Sequence, residues 1–227
     1  MFGALLWGLV AGSAFLLGGA LALRVALGQG AIGLLMGFGG GSLIAAVSYE
    51  LVDEAGQLAS GGGTVALGLI IGSLAYLLAT GRWTGGHGHL TARSLSAVVV
   101  PEAIVIVGSL IHGHLGPPVI AAVFLCGVPE GFAATKRLHA SGRQTRQILG
   151  LWLVLALVCG AAAAIGYAVL DGARPGTVAI VMAIAGGAVL TELTTELVPE
   201  AYRQAGARTG TAAVVGFAMV FALSEVG

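Results

Sequence analysis

Two Pro-Glu pairs are the residues of this chain that could do chemistry, because each lies inside an apolar run. One pair is Pro101-Glu102 and the other is Pro129-Glu130. A carboxylate deep in a bilayer costs about 2.5 kcal/mol or more. Two carboxylates at similar depth on adjacent helices would repel each other if both were ionised and empty. A bound divalent cation removes that repulsion, so the sequence predicts a metal site formed by Glu102 and Glu130.

The neighbours of these carboxylates suit the same chemistry. Pro101 and Pro129 cannot donate a backbone hydrogen bond, so a carbonyl one turn before each proline, near Leu125 in the second case, is predicted to be left free in a kinked helix. Cys126 lies four residues before Glu130, one helical turn away on the same face. A thiolate at that position would be a soft ligand suited to zinc. Cys126 is therefore a candidate third ligand.

Other interpretations of these residues stay open. Glu102 and Glu130 could be protonated and hydrogen-bonded, which would hold the helices together without any metal. The same two carboxyl groups could form a proton relay. Cys126 could be a small buried apolar residue, as most free cysteines are.

Further acidic residues mark a possible path for a cation. Glu50 lies near one end of the second apolar segment and is predicted to assist entrance by concentrating cations. Glu192, Glu196 and Glu200 are spaced four apart, which places them on one face of an α-helix. Glu192 falls near mid-membrane and Glu200 near water. We therefore predict that Glu192 and Glu196 assist exit.

The chain also contains an internal similarity. The run GGSLI at 40–44 leads to ELVDEA at 50–55, and GGAVL at 186–190 leads to ELVPEA at 196–201. The same offset of 146 residues relates both pairs of runs. The two segments are predicted to cross the membrane in opposite directions. This pattern is typical of an inverted repeat, which many transporters use for alternating access.

The composition requires a membrane to hold these elements. Of 227 residues, 57% are hydrophobic and 9% are charged, with a mean hydropathy of +0.99, whereas soluble domains carry about 25% charged residues. A net charge of zero argues against a nucleic-acid partner. Apolar runs of about 20 residues indicate transmembrane helices. We predict an all-α, eight-helix transmembrane bundle forming a single domain over 1–227, with helices near 2–23, 31–52, 64–80, 95–112, 117–136, 148–170, 177–199 and 209–226.

The basic residues give this bundle an orientation. If the N-terminus is outside, nine of the ten Lys and Arg residues fall in cytoplasmic segments, and Arg174 alone lies outside. The positive-inside rule then predicts a multi-pass protein of the cell membrane with both termini outside.

At the level of motifs the chain resembles the ZIP (Zrt/Irt-like) metal transporters. The strings VVVPEA at 98–103 and CGVPEG at 126–131 are similar to the Pro-Glu motifs of that family's fourth and fifth helices. The Gly-rich run that ends in ELVPEA at 196–201 is similar to its seventh helix. The family has eight helices, both termini outside and a variable, often histidine-containing loop, in which this chain has His87 and His89.

The resemblance implies metal-ligand roles for Glu102 and Glu130, but other family ligands are missing. Valines 98–99 replace a histidine and an asparagine, Cys126 replaces a histidine, and Gly127 replaces an acidic residue. A single, sparser site is expected in place of the usual two-metal site.

The sixth segment lacks the acidic residue of many family members, and Cys159 is a candidate substitute for it.

The sequence therefore predicts a ZIP-like transporter that moves a divalent cation, with Zn²⁺ favoured, toward the cytoplasm. The metal is its substrate, and no permanently bound cofactor is expected. The predicted partner is the lipid bilayer, and a second copy of the chain, in a homodimer, is a candidate partner. Two alternatives remain: a proton-coupled transporter of another solute, and a degenerate, non-transporting relative. No arrangement typical of an enzyme appears.

Overall fold

The computed structural model describes residues 1–59, 61–81, 102–104, 106, 107, 110 and 117–224, and wherever these form regular structure it is helical. Five of the helices are long and apolar enough to cross a membrane, and Arg208–Leu223 is a shorter apolar helix. The described part of the chain is thus all-helical, in keeping with a multi-pass membrane protein. The helices are α1 (Phe2–Arg24), α2 (Gln29–Leu58), α3 (Gly62–Thr80), α4 (Pro117–Ala140), α5 (Thr145–Leu170), α6 (Pro175–Ala205) and α7 (Arg208–Ser224).

The two longest helices run past their predicted ends. The predicted segment 31–52 is Gln29–Leu58, and the predicted segment 177–199 is Pro175–Ala205. Gln57 extends α2 by donating a hydrogen bond of 2.9 Å to Asp53, one turn earlier. Pro199 does not end α6, because it lies in the first turn of a new α-helical stretch that follows a π-helical one. The predicted segment 95–112 lies largely outside the described residues. The positions of this segment that are described, 102–104, 106, 107 and 110, are helical.

Helices α1, α4 and α5 pack through glycines. Gly8 of α1 lies against Cys159 to Ala163 of α5, and Gly19 lies against Trp152, so α1 and α5 run antiparallel. Gly131 of α4 lies against the backbone of Phe15 in α1. Trp152 joins all three helices, because its ring stacks on Phe15 at 5.8 Å and its Nε1 donates a hydrogen bond of 2.8 Å to Thr135 of α4.

Two further helix pairs, α2–α7 and α3–α6, are built alike. A Cβ at Gly41 of α2 would collide with the Ala213 carbonyl of α7, and one at Gly187 of α6 would collide with the Leu69 carbonyl of α3. The reverse contacts match as well: Gly216 of α7 lies on the Phe38 carbonyl, and Gly72 of α3 lies on the Ile184 carbonyl.

The contacts of the two helix pairs correspond residue by residue. Matched residues of α2 and α6 differ by 146, and matched residues of α3 and α7 differ by 144. Gly37 lies on Thr209 just as Gly41 lies on Ala213, and Gly68 lies near the Ile180 carbonyl just as Gly72 lies on that of Ile184, so both pairs are parallel. Their backbones touch because glycine lacks a side chain.

The two π-helical segments obey the same offset. They span Val47–Asp53 in α2 and Leu193–Leu197 in α6, so their first residues differ by 146.

The π segment of α6 packs on the glycine run of α2, and the π segment of α2 packs on the glycine run of α6. Gly40 lies on Leu193 and Leu197, and Gly186 lies on Val47 and Leu51. Further toward the start of α2, Gly33 lies on 201–205 of α6. The order of contacts shows that α2 and α6 are antiparallel.

Side-chain hydroxyl groups accompany both π segments. Ser48 donates to the Ile44 carbonyl at 2.8 Å, and its matched residue Thr194 donates to the Leu190 carbonyl at 2.9 Å. Such bonds compete with the regular helical ladder and bend helices. Thr195 makes a similar bond to the Thr191 carbonyl at 2.6 Å.

Candidate functional site

Glu102, Cys126 and Glu130 come together inside the bundle. One ligand atom from each side chain lies within 4.8 Å of the others. Glu102 and Cys126 are each only 1% exposed, and Glu130 is partly buried. Zinc takes sulfur at about 2.3 Å and carboxylate oxygen at about 2.0–2.2 Å. The three side chains are therefore near enough to one another to be candidate ligands of one cation.

The position of α4 determines the position of two of these groups. Cys126 and Glu130 lie one turn apart on α4, on either side of Pro129. Gly127 and Gly131, on the neighbouring face, pack against Ala14 and Phe15 of α1. Close packing on α1 turns the Cys126–Glu130 face toward the interior.

Glu192 of α6 extends the cluster. Its side chain is 4% exposed, and it lies close enough to Glu102, Glu130 and Glu196 for their charges to interact. One oxygen of Glu192 and one oxygen of Glu102 are buried with no hydrogen-bond partner among the described residues. Buried polar atoms are normally paired, and an unpaired one calls for an explanation such as an absent ion.

Tyr76 of α3 holds the next carboxylate. Its hydroxyl donates a hydrogen bond of 2.6 Å to Oε1 of Glu196, in the π segment of α6. The tyrosine is 2% exposed and is near enough to Glu192 and Glu130 to feel their charges. Sequence reasoning missed Tyr76, since a lone tyrosine in an apolar segment resembles an ordinary packing residue. Its polar hydroxyl in that run was the one available signal.

Glu192, Glu196 and Glu200 of α6 form an acidic series, which ends beside basic side chains. Glu200 accepts hydrogen bonds from Arg203 and from Gln204, the latter at 2.6 Å. Arg137 of α4 lies 3.9 Å from the same carboxylate and is close enough to Glu130 for their charges to interact. Carboxylates thus run from the buried cluster to the basic ends of α4 and α6.

The chain matches no family model. A comparison with curated proteins likewise finds no match.

The remaining predicted residues lie as follows. Glu50 is half-buried in the π segment of α2. Pro129 is inside α4, whereas Pro101 lies outside the described residues, as do His87 and His89. The Leu125 carbonyl, predicted to be free, has Gly39 of α2 packed directly against it.

Cys159 of α5 is fully buried and lies close enough to Glu102 for the two groups to interact electrostatically. It stands at the edge of the cluster formed by Glu102, Cys126 and Glu130.

The donor set limits the chemistry of the cluster. Two carboxylates and one thiol offer two hard ligands and one soft ligand, a combination that suits a divalent transition metal better than Mg²⁺ or Ca²⁺, which prefer oxygen alone. Ionised, Glu102, Glu130 and Glu192 would place three negative charges in one buried volume. A cation or protons must balance them.

Proposed function

We propose that this protein is a ZIP-like transporter that moves a divalent metal cation, with Zn²⁺ favoured, across the cell membrane toward the cytoplasm. The observation that carries the proposal is the buried group formed by Glu102, Cys126 and Glu130, whose ligand atoms lie within 4.8 Å of one another. In a structural pair whose hydrogen bonds are fully satisfied, every buried carboxyl oxygen would have a partner. Glu102 has one buried oxygen without a hydrogen-bond partner within the described part of the chain.

The carboxylates beyond the cluster favour movement of the ion over permanent storage. Glu192 is adjacent to the cluster, Glu196 follows one turn later, and Glu200 reaches the basic helix ends. A cation released from the cluster would therefore meet further ligands in one direction. That direction leads to Arg137 and Arg203, which the positive-inside rule assigns to the cytoplasm.

Helix directions support eight crossings. Helix α4 is parallel to α1, as the contacts of Gly127 with Ala14 and of Gly19 with Thr135 require. If successive helices α1, α2 and α3 alternate in direction, α3 also runs parallel to α4. The chain between Thr80 and Pro117 would then cross the membrane once more, which makes eight crossings and puts both termini on the same side. The positive-inside rule assigns that side to the outside.

The matched contacts of α2 and α6 support an inverted repeat. The two helices are antiparallel, and each packs on the other through residues related by the same offset. Transporters with such repeats alternate between two states by exchanging the conformations of their halves.

Flux measurements in liposomes test this proposal. The purified protein is reconstituted around a metal-sensitive dye, and Zn²⁺, Mn²⁺, Fe²⁺, Co²⁺ and Cd²⁺ are added outside. We expect saturable flux of at least one of these ions. Glu102→Gln, Glu130→Gln and Cys126→Ser should each reduce it, the two carboxylate variants about 10- to 100-fold.

Asp171→Asn is the matched control, because it removes one carboxylate charge in an exposed loop. Its flux should equal that of the native protein. Unchanged flux in the double variant Glu102→Gln/Glu130→Gln would overturn the proposed site. Proton flux without flux of any metal would favour a proton-coupled carrier of another solute, and a folded protein with neither flux would favour a non-transporting relative.

A further inference from the structure

We propose that Tyr76 is a positioning residue that controls the transfer of the cation from the buried cluster to Glu196. This inference rests on the proposed transport function and adds a step to it. Its starting point is the 2.6 Å hydrogen bond that the Tyr76 hydroxyl donates to Oε1 of Glu196. The bond joins α3 to the π segment of α6, and the two residues are 120 positions apart in the chain.

The hydroxyl lies where the cluster meets the acidic series. Glu130 belongs to the cluster, Glu192 adjoins it, and both interact with Tyr76 through their charges. Glu196 interacts with Glu130 and Glu192 in turn. A cation leaving the cluster toward Glu200 therefore passes the carboxylate that Tyr76 holds.

The carboxylate that Tyr76 binds lies in a π-helical segment. Glu196 lies within Leu193–Leu197, where the regular α-helical ladder is interrupted. Short π-helical interruptions of this kind occur frequently at functional sites. The part-buried hydrogen bond from Tyr76 fixes the side chain of Glu196 against α3.

The matched half of the molecule argues that packing alone does not require this tyrosine. Gly72 of α3 and Gly216 of α7 make equivalent contacts. Four residues after each glycine, α3 has Tyr76 and α7 has Val220, and both side chains are 2% exposed. The same position in the fold is thus filled by an apolar side chain in one half and by a hydrogen-bond donor in the other.

Tyr76 then orients Glu196 so that its carboxylate can receive the cation, and transfer is slow when that orientation is lost. Tyr76→Phe removes only the hydroxyl oxygen and keeps the ring. The maximal flux should fall about tenfold, the loss expected for one hydrogen bond to a charged group. Equilibrium binding of Zn²⁺ to the cluster, measured by calorimetry on the purified protein, should change less than about twofold, because Glu102, Cys126 and Glu130 are intact.

A double-mutant cycle separates positioning from general structure. Glu196→Gln should lower maximal flux to a similar extent, and Tyr76→Phe should have no further effect in the Glu196→Gln background. Tyr202→Phe, at a position 60% exposed on α6, is the matched control and should behave as native. Melting temperatures in detergent verify that every variant is folded.

The outcomes distinguish the two proposals. If the native protein carries metal but Tyr76→Phe has the same maximal flux as Tyr202→Phe, the role of Tyr76 is overturned and the transport proposal stands. Additive losses in the cycle, or a loss of Zn²⁺ binding in Tyr76→Phe, would also overturn it. If the native protein neither binds nor carries any of the tested cations, both proposals fail.

Discussion

The α2–α7 pair and the α3–α6 pair share a backbone arrangement but differ in the polar groups they carry. Glu192 of α6 is matched by Ala46 of α2, which is 1% exposed, and Tyr76 of α3 is matched by Val220 of α7. Two acidic residues of α6, Glu196 and Glu200, do have acidic counterparts, in Glu50 and Glu54 of α2. Close helix packing therefore does not require the polar groups. Their concentration beside Glu102 and Glu130 gives a symmetric scaffold one chemically distinct side.

We expect the largest effect on metal flux from Glu192, which has no polar counterpart in the α2–α7 pair. Glu192→Gln removes a buried charge beside the cluster and should reduce metal flux about 10- to 100-fold. Glu50→Gln, at the end predicted to admit the cation, should mainly raise the substrate concentration needed for half-maximal flux. Concentration series in liposomes measure both quantities. Equal losses of maximal flux in the two variants would remove the functional asymmetry.

Glycine substitutions test the shared part of the comparison. Gly41→Ala and Gly187→Ala each push a methyl group into the backbone of the partner helix. Each should destabilise the protein by about 1–3 kcal/mol, because the helices must separate or shift. Thermal unfolding in detergent should show similar losses for both.

Gly150→Ala is the control for these substitutions, since a Cβ at Gly150 meets no atom within 4 Å. A large loss for one glycine and none for its matched partner would contradict the equivalence of the two helix pairs.

Acidification should weaken metal binding to the cluster formed by Glu102, Cys126 and Glu130. Protons compete with the cation for carboxylate and thiolate ligands, so metal affinity should fall as the pH is lowered. The slope can reach about tenfold per pH unit for each proton released. Zn²⁺ calorimetry at several pH values should show a shallower slope for Glu192→Gln than for the native protein. An unchanged slope in that variant would exclude Glu192 from the protons linked to binding.

The smallest effects should come from the hydroxyl groups of the π segments. Ser48→Ala deletes the hydrogen bond to the Ile44 carbonyl, and Thr194→Ala deletes the hydroxyl shared between the Leu190 and Thr191 carbonyls. Each should change the free energy of unfolding by about 1 kcal/mol or less, and the two changes should be similar. Chemical unfolding in detergent measures them. A much larger loss for Thr194→Ala would mean that the α6 segment depends on its hydroxyl bonds in a way that the α2 segment does not.

Helix positions could be predicted well because membrane thickness fixes the length of an apolar run. The first segment, predicted at 2–23, is Phe2–Arg24, and the sixth, predicted at 148–170, is Thr145–Leu170. The π segments could not be predicted. They depend on contacts between helices far apart in sequence, such as Gly40 with Leu197. Pro199 gave a partial signal, because it removes a backbone donor just after the second π segment.

The candidate site divides in the same way. Cys126 and Glu130 were related by their spacing within one helix, which sequence alone reveals. The proximity of Glu102 was inferred from a repeated Pro-Glu pair and from the cost of burying charge, not from local pattern. Tyr76 could not be related to Glu196 at all, since their contact depends on how α3 packs against α6. The four-residue spacing of Glu192, Glu196 and Glu200 also assumed a regular α-helix, and the π turn alters it.

The length of α2 and α6 has a consequence for the bilayer. With 30 and 31 residues and a rise of about 1.5 Å per residue, each would be about 45 Å long. The hydrocarbon core is about 30 Å thick. Both helices must therefore tilt or project into the headgroups, and because they are antiparallel their polar ends project from opposite surfaces. Hydrophobic mismatch would then act on both helices at once. Membrane thickness would therefore influence the angle at which α2 and α6 cross.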